Sequence, residues 1–231
     1  MSKTLLAAAA ALPLLAPAAL SGSAWATLNC TVTDNGVNVG TCLPSNNGAL
    51  VLSAFTDPQF SSISLTGSGF PALPQPDLSS VTLNVTSATG FTGTHTLVVD
   101  VFQSGLAVTG ATLSSTFTIN HLIGAPFGPS TLSDFINGTA STLGTPLNSA
   151  SFAAGATNST IGPDISGPFP SITADAQQYT VTFTAPGQSA NDTIQLLGVT
   201  PSVVEPSSLA LLGGSLVGMG WWYRRHGRAR G

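Results

Sequence analysis

The sequence predicts an all-β protein, an antiparallel β-sandwich or jelly-roll-like ectodomain, with an N-terminal signal helix before it and a single C-terminal transmembrane helix after it. Three observations predict this. Short segments alternate apolar and polar residues with period two, as strands do when one face meets a core and the other meets water. Gly, Pro, Asn and Ser separate these segments, and no stretch of the body combines helical periodicity with caps. Two uncharged, largely apolar runs, Leu5 to Leu20 and Ser207 to Tyr223, lie outside the alternating body at the two ends.

The first run follows a lone cation, Lys3, and leads to Ala24, Trp25 and Ala26, an Ala-x-Ala cleavage pattern. Residues 1–26 are therefore expected to be a signal peptide, with Thr27 opening the mature chain. Pro13 and Pro17 interrupt the run, which argues against a first membrane span. Leu28 and Asn29 precede Cys30 where a lipidation site would need a small residue.

Residues 27–202 form the expected β-rich extracytoplasmic domain, long enough for one sizeable core. Its charge is one-sided. The five cations of the chain are Lys3, Arg224, Arg225, Arg228 and Arg230, whereas all nine acids fall between Asp34 and Glu205. The body is thus uniformly negative and is expected to contain no internal ion pair. Nucleic acid is excluded as a partner, because phosphate binding requires a basic footprint. Anionic substrates are disfavoured for the same reason. Abundant Phe, Val and Ile in the body exclude disorder.

Cys30 and Cys42 are the two cysteines. In an exported chain, so close a pair is expected to form a disulfide. Asp34, Asn35 and Gly36 between them give a hairpin-turn signal. Facing cysteines call for a three-residue bulged loop centred on Gly36, since a two-residue Asn-Gly turn would set Cys30 opposite Thr41.

The clearest strand is Val81 to Thr86, with Val81, Leu83 and Val85 on one face and Thr82, Asn84 and Thr86 on the other. Tyr179 to Thr184 repeats the pattern, as does Leu113 to Ile119. Leu50 to Phe55, Ser62 to Thr66, Thr96 to Gln103 and Thr193 to Val199 are weaker examples. Ile123 to Ala176, rich in Gly, Pro, Ser and Thr, is expected to hold long loops with one or two strands near Phe152 and Ile172.

The body shows no catalytic or metal-binding set and calls for no cofactor. His95, His121 and Asp100 have no spacing that matches a metalloprotease, hydrolase or zinc motif. By strand parity His121 continues the inner face of Phe117 and Ile119 as a hydrogen-bonded structural histidine, and His95 is expected to be a solvated turn residue at a strand start. The Asp residues include no Asp-x-Asp pair, against the paired carboxylates that glycoside hydrolysis requires. Asp34, Asn35 and Asn38 offer oxygens for calcium, but a simple turn accounts for them. Five Asn-x-Ser/Thr triplets begin at Asn29, Asn84, Asn137, Asn158 and Asn191. Threonine-rich strand faces produce such triplets by chance.

The tail, residues 203–231, has three parts: Glu205 and Pro206, the uncharged run 207–223, and a basic end, 224–231. As a helix the run would be about 25 Å long, near the lower limit for spanning a bilayer, with Trp221, Trp222 and Tyr223 at the interface and the arginines in the cytoplasm. Together with Val203, Val204, Ser207, Ser208 and Leu209, this arrangement resembles the PEP-CTERM sorting signal, with Val204 in place of the first proline. The resemblance implies a substrate of exosortase, a membrane processing enzyme of bacteria that export polysaccharide. In that reading Val204, Glu205 and Pro206 form the recognised motif, and Arg224 and Arg225 begin the retaining basic end. The expected product is a non-enzymatic envelope or biofilm-matrix protein, exported across the inner membrane and transiently anchored there, with exopolysaccharide as surroundings and candidate partner. The alternative is a carbohydrate-binding or adhesive β-sandwich; against it, the body has no Trp and a single Tyr, Tyr179.

Overall fold

The computed structural model describes residues 26–70, 72–124 and 128–199. The expected signal segment up to Trp25, and the sorting residues Val204, Glu205, Pro206, Arg224 and Arg225 with the apolar run between them, lie outside the described residues. Twelve strands follow in order: β1 Thr27–Asp34, β2 Val37–Cys42, β3 Ala49–Phe55, β4 Phe60–Ser68, β5 Leu78–Ser87, β6 His95–Val108, β7 Ala111–Ile123, β8 Ser130–Ile136, β9 Thr145–Phe152, β10 Thr157–Phe169, β11 Ile172–Phe183 and β12 Ser189–Val199. Among the described residues there is no helix.

All pairings are antiparallel, in the order β10-β7-β12-β5-β4-β3-β2-β1-β6-β11-β8-β9. β3 makes the corner. Its first residues, Ala49 to Val51, pair with β4, and its last, Leu52 to Phe55, pair with β2. By changing partner midway, one strand feeds two layers and folds a single sheet into a sandwich. The edge strands β9 and β10 are consecutive in the chain but stand at opposite ends of this order, unpaired with each other.

Alternation dictates which side chains meet. β1, β8 and the paired part of β12 alternate half-buried and fully buried residues along their length, as period-two sequences must on a sheet with one inner face. One row of the β1 layer runs Val32, Val99, Tyr179, Leu132 and Ala150. The facing β12 layer supplies Leu83, Phe117, Ile119 and Ile194, all fully buried in the same cluster. A second, smaller cluster joins Ala26, Leu106, Leu113, Ile136, Ile172 and Leu196. The two are separated because the intervening rows of the first layer are polar: Gln177 and Asp134, then Gln103 and Asp175.

The structure departs from the expectations at four places. Asn35 and Gly36 form a two-residue turn, with Asp34 opposite Val37, yet Cys30 and Cys42 are bonded. A register shift between Val32 and Thr33 accounts for both, since β2 carries an extra residue there and Thr31, not Cys30, comes to face Thr41. Both turn residues have positive φ, 47° and 82°, the conformation this tight hairpin demands. The stretch 123–176 is mostly strand, containing β8, β9, β10 and the start of β11. β10, an edge strand exposed on both sides, has no apolar alternation to mark it in the sequence. In β8 the inward positions include Ser130 and Asp134, which masks its apolar face in the sequence.

The other two departures concern histidines. A register shift beside His121 turns Leu122 inward, so His121 lies on the outer side and Nε2 meets Ser189 Oγ at 3.1 Å. His95 does open a strand, but it is no solvated turn residue. Its Nδ1 contacts Asp34 Oδ2, its Nε2 lies 3.0 Å from Thr92 O, and its ring meets Phe60 and Phe91. Asp34 and His95 are thus hydrogen-bonded partners within a body that has no Lys or Arg.

Candidate functional site

Chemistry-bearing side chains gather in three places. The first is the polar layer between the sheets. On β8 and β11, Asp134 and Gln177 are directly opposite in register, and Asn148 of β9 is opposite Asp134 on the other side. One row further, Gln103 of β6 faces Asp175. Gln103 Nε2 donates to Asp175 Oδ2 at 3.1 Å, and its Oε1 accepts from Phe70 N at 2.8 Å. Three contacts tie this layer to the opposite sheet: Gln177 Nε2 donates to Leu78 O at 2.9 Å, Asn148 Nδ2 to Ser115 Oγ at 3.0 Å, and Ser130 Oγ to Asp192 Oδ2 at 3.0 Å. Close by, Tyr179 Oη accepts from Ile194 N at 3.2 Å.

Burial dominates the electrostatics here. It pushes Asp134 up to about 8 and Asp192 up to about 7, against the small opposing pull of their polar neighbours. It raises Asp175 well above the usual carboxylate range, and the Asp134 and Asp77 charges raise it further. A buried ionised carboxylate costs several kcal/mol, more than the roughly 2 kcal/mol that a buried Leu in its place would return. The sequence pattern could not single these residues out, because Asp134 and Asp175 look like ordinary polar strand positions; the available signal was the alternation of Leu132, Asp134 and Ile136 on one face.

The second place is the end of the sandwich where Asp34 and His95 meet. Burial raises Asp34 and its contact with His95 lowers it, with a net rise. Phe60 sits at the centre of an edge-to-face cluster with Phe55, Phe91, His95 and Phe183, its ring 5.1 Å from that of Phe183. Asn35 does not join a cation site. Its Nδ2 donates to Thr94 O at 3.2 Å and its Oδ1 accepts from Thr96 N at 2.9 Å, which fastens the turn to the start of β6. Asn38 Oδ1 accepts from Gly40 N at 3.1 Å. The oxygens of Asp34, Asn35 and Asn38 are thus used separately. Among the described residues no group of three His, Cys, Asp or Glu side chains is placed to hold a metal ion.

The third place is the outer face of the β12 layer, which is polar and uncharged. Asn120 Nδ2 donates to Asn191 Oδ1, and Asn191 Nδ2 donates in turn to Asn84 Oδ1, giving an amide chain across β7, β12 and β5. Beside it Thr118 and Thr160 lie 3.1 Å apart through their hydroxyls. Asn84 is exposed, as its strand parity implied. A shallow depression of about 420 Å³ in the β2–β3 loop, lined by Leu43, Pro44, Asn46 and Val51 among others, contains no titratable group.

The remaining site residues are placed as follows. Cys30 and Cys42 are buried and disulfide-bonded, with Cα atoms 4.8 Å apart. Thr27 opens β1 opposite Ser104, and Ala26 is fully buried in the smaller apolar cluster. Ala24 lies outside the described residues. Asp100 is half-buried on the outer side, where its Oδ1 accepts from Gln178 Nε2 at 2.8 Å, far from any partnership with His95 and His121.

No protein-family model and no curated protein matches the chain. Among solved structures, the carbohydrate-binding module TmCBM61, in complex with beta-1,4-galactotriose, is similar over 62% of this chain and 92% of its own, at 12% identity and a TM-score of 0.34.

Proposed function

We propose that the chain is a non-enzymatic exported protein of the cell envelope or extracellular matrix, sorted through its PEP-CTERM-like tail by an exosortase-type enzyme. The observation that carries this reading is the pairing of a buried Cys30–Cys42 disulfide with a body free of Lys and Arg. Disulfides of this kind persist in oxidising, extracytoplasmic compartments. Interior polar side chains join the two sheets, Ser130 to Asp192, Asn148 to Ser115 and Gln177 to Leu78, which supports a structural use of that layer. The test is the mass and location of the mature protein in cells with and without the exosortase. Loss of the tail only in the presence of that enzyme is expected; identical products in both, or a full-length cytoplasmic product that keeps its leader, would overturn the reading.

The amide and hydroxyl array of Asn84, Asn191, Asn120, Thr118 and Thr160 favours a second reading, a surface that contacts neutral polysaccharide. Neutral sugars need donors and acceptors without charge, and this face offers both. Binding of the purified protein on a glycan array, lost on replacing Asn84 and Asn120 by Ala, is the expected result. No binding across a broad set of polysaccharides would remove this second reading and leave the first intact.

A further inference from the structure

The interior acids have no counter-charge. Lys and Arg are absent between residues 4 and 223; His95 is engaged by Asp34, and His121 faces Ser189 on the outer side. No donor meets either oxygen of Asp134 at full hydrogen-bond geometry, although Ser115 and Gln177 lie close enough to favour its charged form, and Asp175 Oδ1, Asp192 Oδ1 and Gln177 Oε1 are also buried without a partner. Gln177 directly faces Asp134, and one of its two Nε2 hydrogens is committed to Leu78 O. With Asp134 ionised, both of its oxygens would be acceptors, as the Gln177 Oε1 beside them is. A carboxylic acid O–H supplies a donor.

We propose that Asp134, Asp175 and Asp192 carry protons in the native sandwich, that Asp134 donates its own to Gln177 Oε1, and that removing these protons loosens β8 and β9 from β7 and β12. The fold would then contain a device that alkali opens and acid closes. It sits on the side of the sandwich where the edge strands β9 and β10 do not pair with each other, and where the Ser130–Asp192 and Asn148–Ser115 bonds cross between the layers.

Every other titratable group near this layer is either neutral or an acid. Tyr179 of β11 is kept protonated by burial. Asp77, in the β4–β5 loop, is itself raised by burial, and its Oδ1 accepts from Gly198 N at 2.7 Å. Asp164 of β10 approaches through its carbonyl, which accepts from Asn148 Nδ2 at 3.5 Å. β6, β7 and β9 contribute Gln103, Ser115 and Asn148, none of which titrates. Burial raises all three acids, Asp134 to about 8 and Asp192 to about 7.

The native state therefore holds protons that the unfolded chain releases above its ordinary carboxylate range. Stability is full in acid and falls as pH rises toward 7 to 8, by up to about tenfold in the folding constant per pH unit for each group. Infrared spectroscopy of the full chain tests this directly. The carbonyl band of a protonated carboxylic acid is expected at pH 6, weakened by pH 9 and reduced in Asp134→Asn. Urea midpoints should fall from pH 5 to pH 9, and less steeply in that variant. Should Asp134→Asn not fold, the wild-type band and its disappearance with pH decide alone. Absence of the band at pH 6 in folded protein overturns the proposal. So does a bound divalent ion whose removal by chelator lowers the midpoint, because a cation would then replace the protons.

Discussion

Replacing Tyr179 by Phe removes one oxygen from the middle of the sandwich and leaves the ring in place. Tyr179 is fully buried, and its Oη accepts from the N–H of Ile194 across the gap between β11 and β12. Ile194 lies where the β12–β5 register shifts, so this backbone donor turns inward rather than into the ladder. In the variant the N–H remains buried with no acceptor. An orphaned buried donor costs about 1–3 kcal/mol, whereas the ring packing that stays contributes as before. With about 2–4 °C of melting temperature per kcal/mol for a domain of this size, the expected drop is about 2–12 °C. Thermal and urea unfolding followed by circular dichroism would measure it, with unchanged m-values showing that the unfolded state is unaltered. A loss below about 0.5 kcal/mol would mean that Ile194 N–H finds another acceptor, and that the sheets are not joined through Tyr179.

Four further outcomes follow from the same geometry. Replacing both Cys30 and Cys42 by Ala, which opens a loop of sequence separation 12, should cost about 3 kcal/mol by the chain-entropy argument, read as a lower urea midpoint. Phe60→Ala empties the centre of the Phe55, Phe91, His95 and Phe183 cluster and should cost about 3–5 kcal/mol. Asn137→Asp sets an oxygen against Ser171 O where Nδ2 now donates at 3.0 Å; a loss of about 1–2 kcal/mol is expected above the carboxylate range, shrinking in acid. Asp192→Asn removes a group that burial raises from 3.8 to about 7, so the variant should gain on the wild type as pH climbs through that window, by up to about 4 kcal/mol at pH 8 less the altered Ser130 bond. Parallel pH profiles for the two proteins would refute the assignment of Asp192.

How much was legible depended on whether a residue obeyed the alternation that burial imposes. Val81 to Thr86 and Tyr179 to Phe183 did, and both are strands with the expected inner faces wherever their side chains are described. Asp134 and Asp175 did not. A carboxylate at an inward position mimics an outward one until the opposite sheet is in place, so the polar layer was hidden in the sequence. β10 was hidden for the converse reason, having no buried face to announce it. The disulfide was legible from compartment and spacing, but its register was not, because nothing local signals an extra residue in β2. The surroundings of His95 are not legible locally, because its partners Asp34, Phe60 and Phe91 lie on separate segments that only the folded sheet brings together. The Asn35 and Asn137 carboxamides belong to the same class. Each reaches a segment far along the chain, Thr94 to Thr96 for one and Ser171 to Thr173 for the other.

A thirteen-residue border strand that is exposed on both sides would ordinarily invite copies of the same chain to add on, edge to edge. In β10 the Gly162-Pro163 and Gly167-Pro168 pairs fall at its two register shifts with β7, so the border loses amide donors and its straightness at regular intervals. Few charges repel neighbouring copies of this chain, whose net charge is only -4. Those prolines make the border a poor template for a further copy, since a straight, fully bonded edge is what edge-to-edge addition needs.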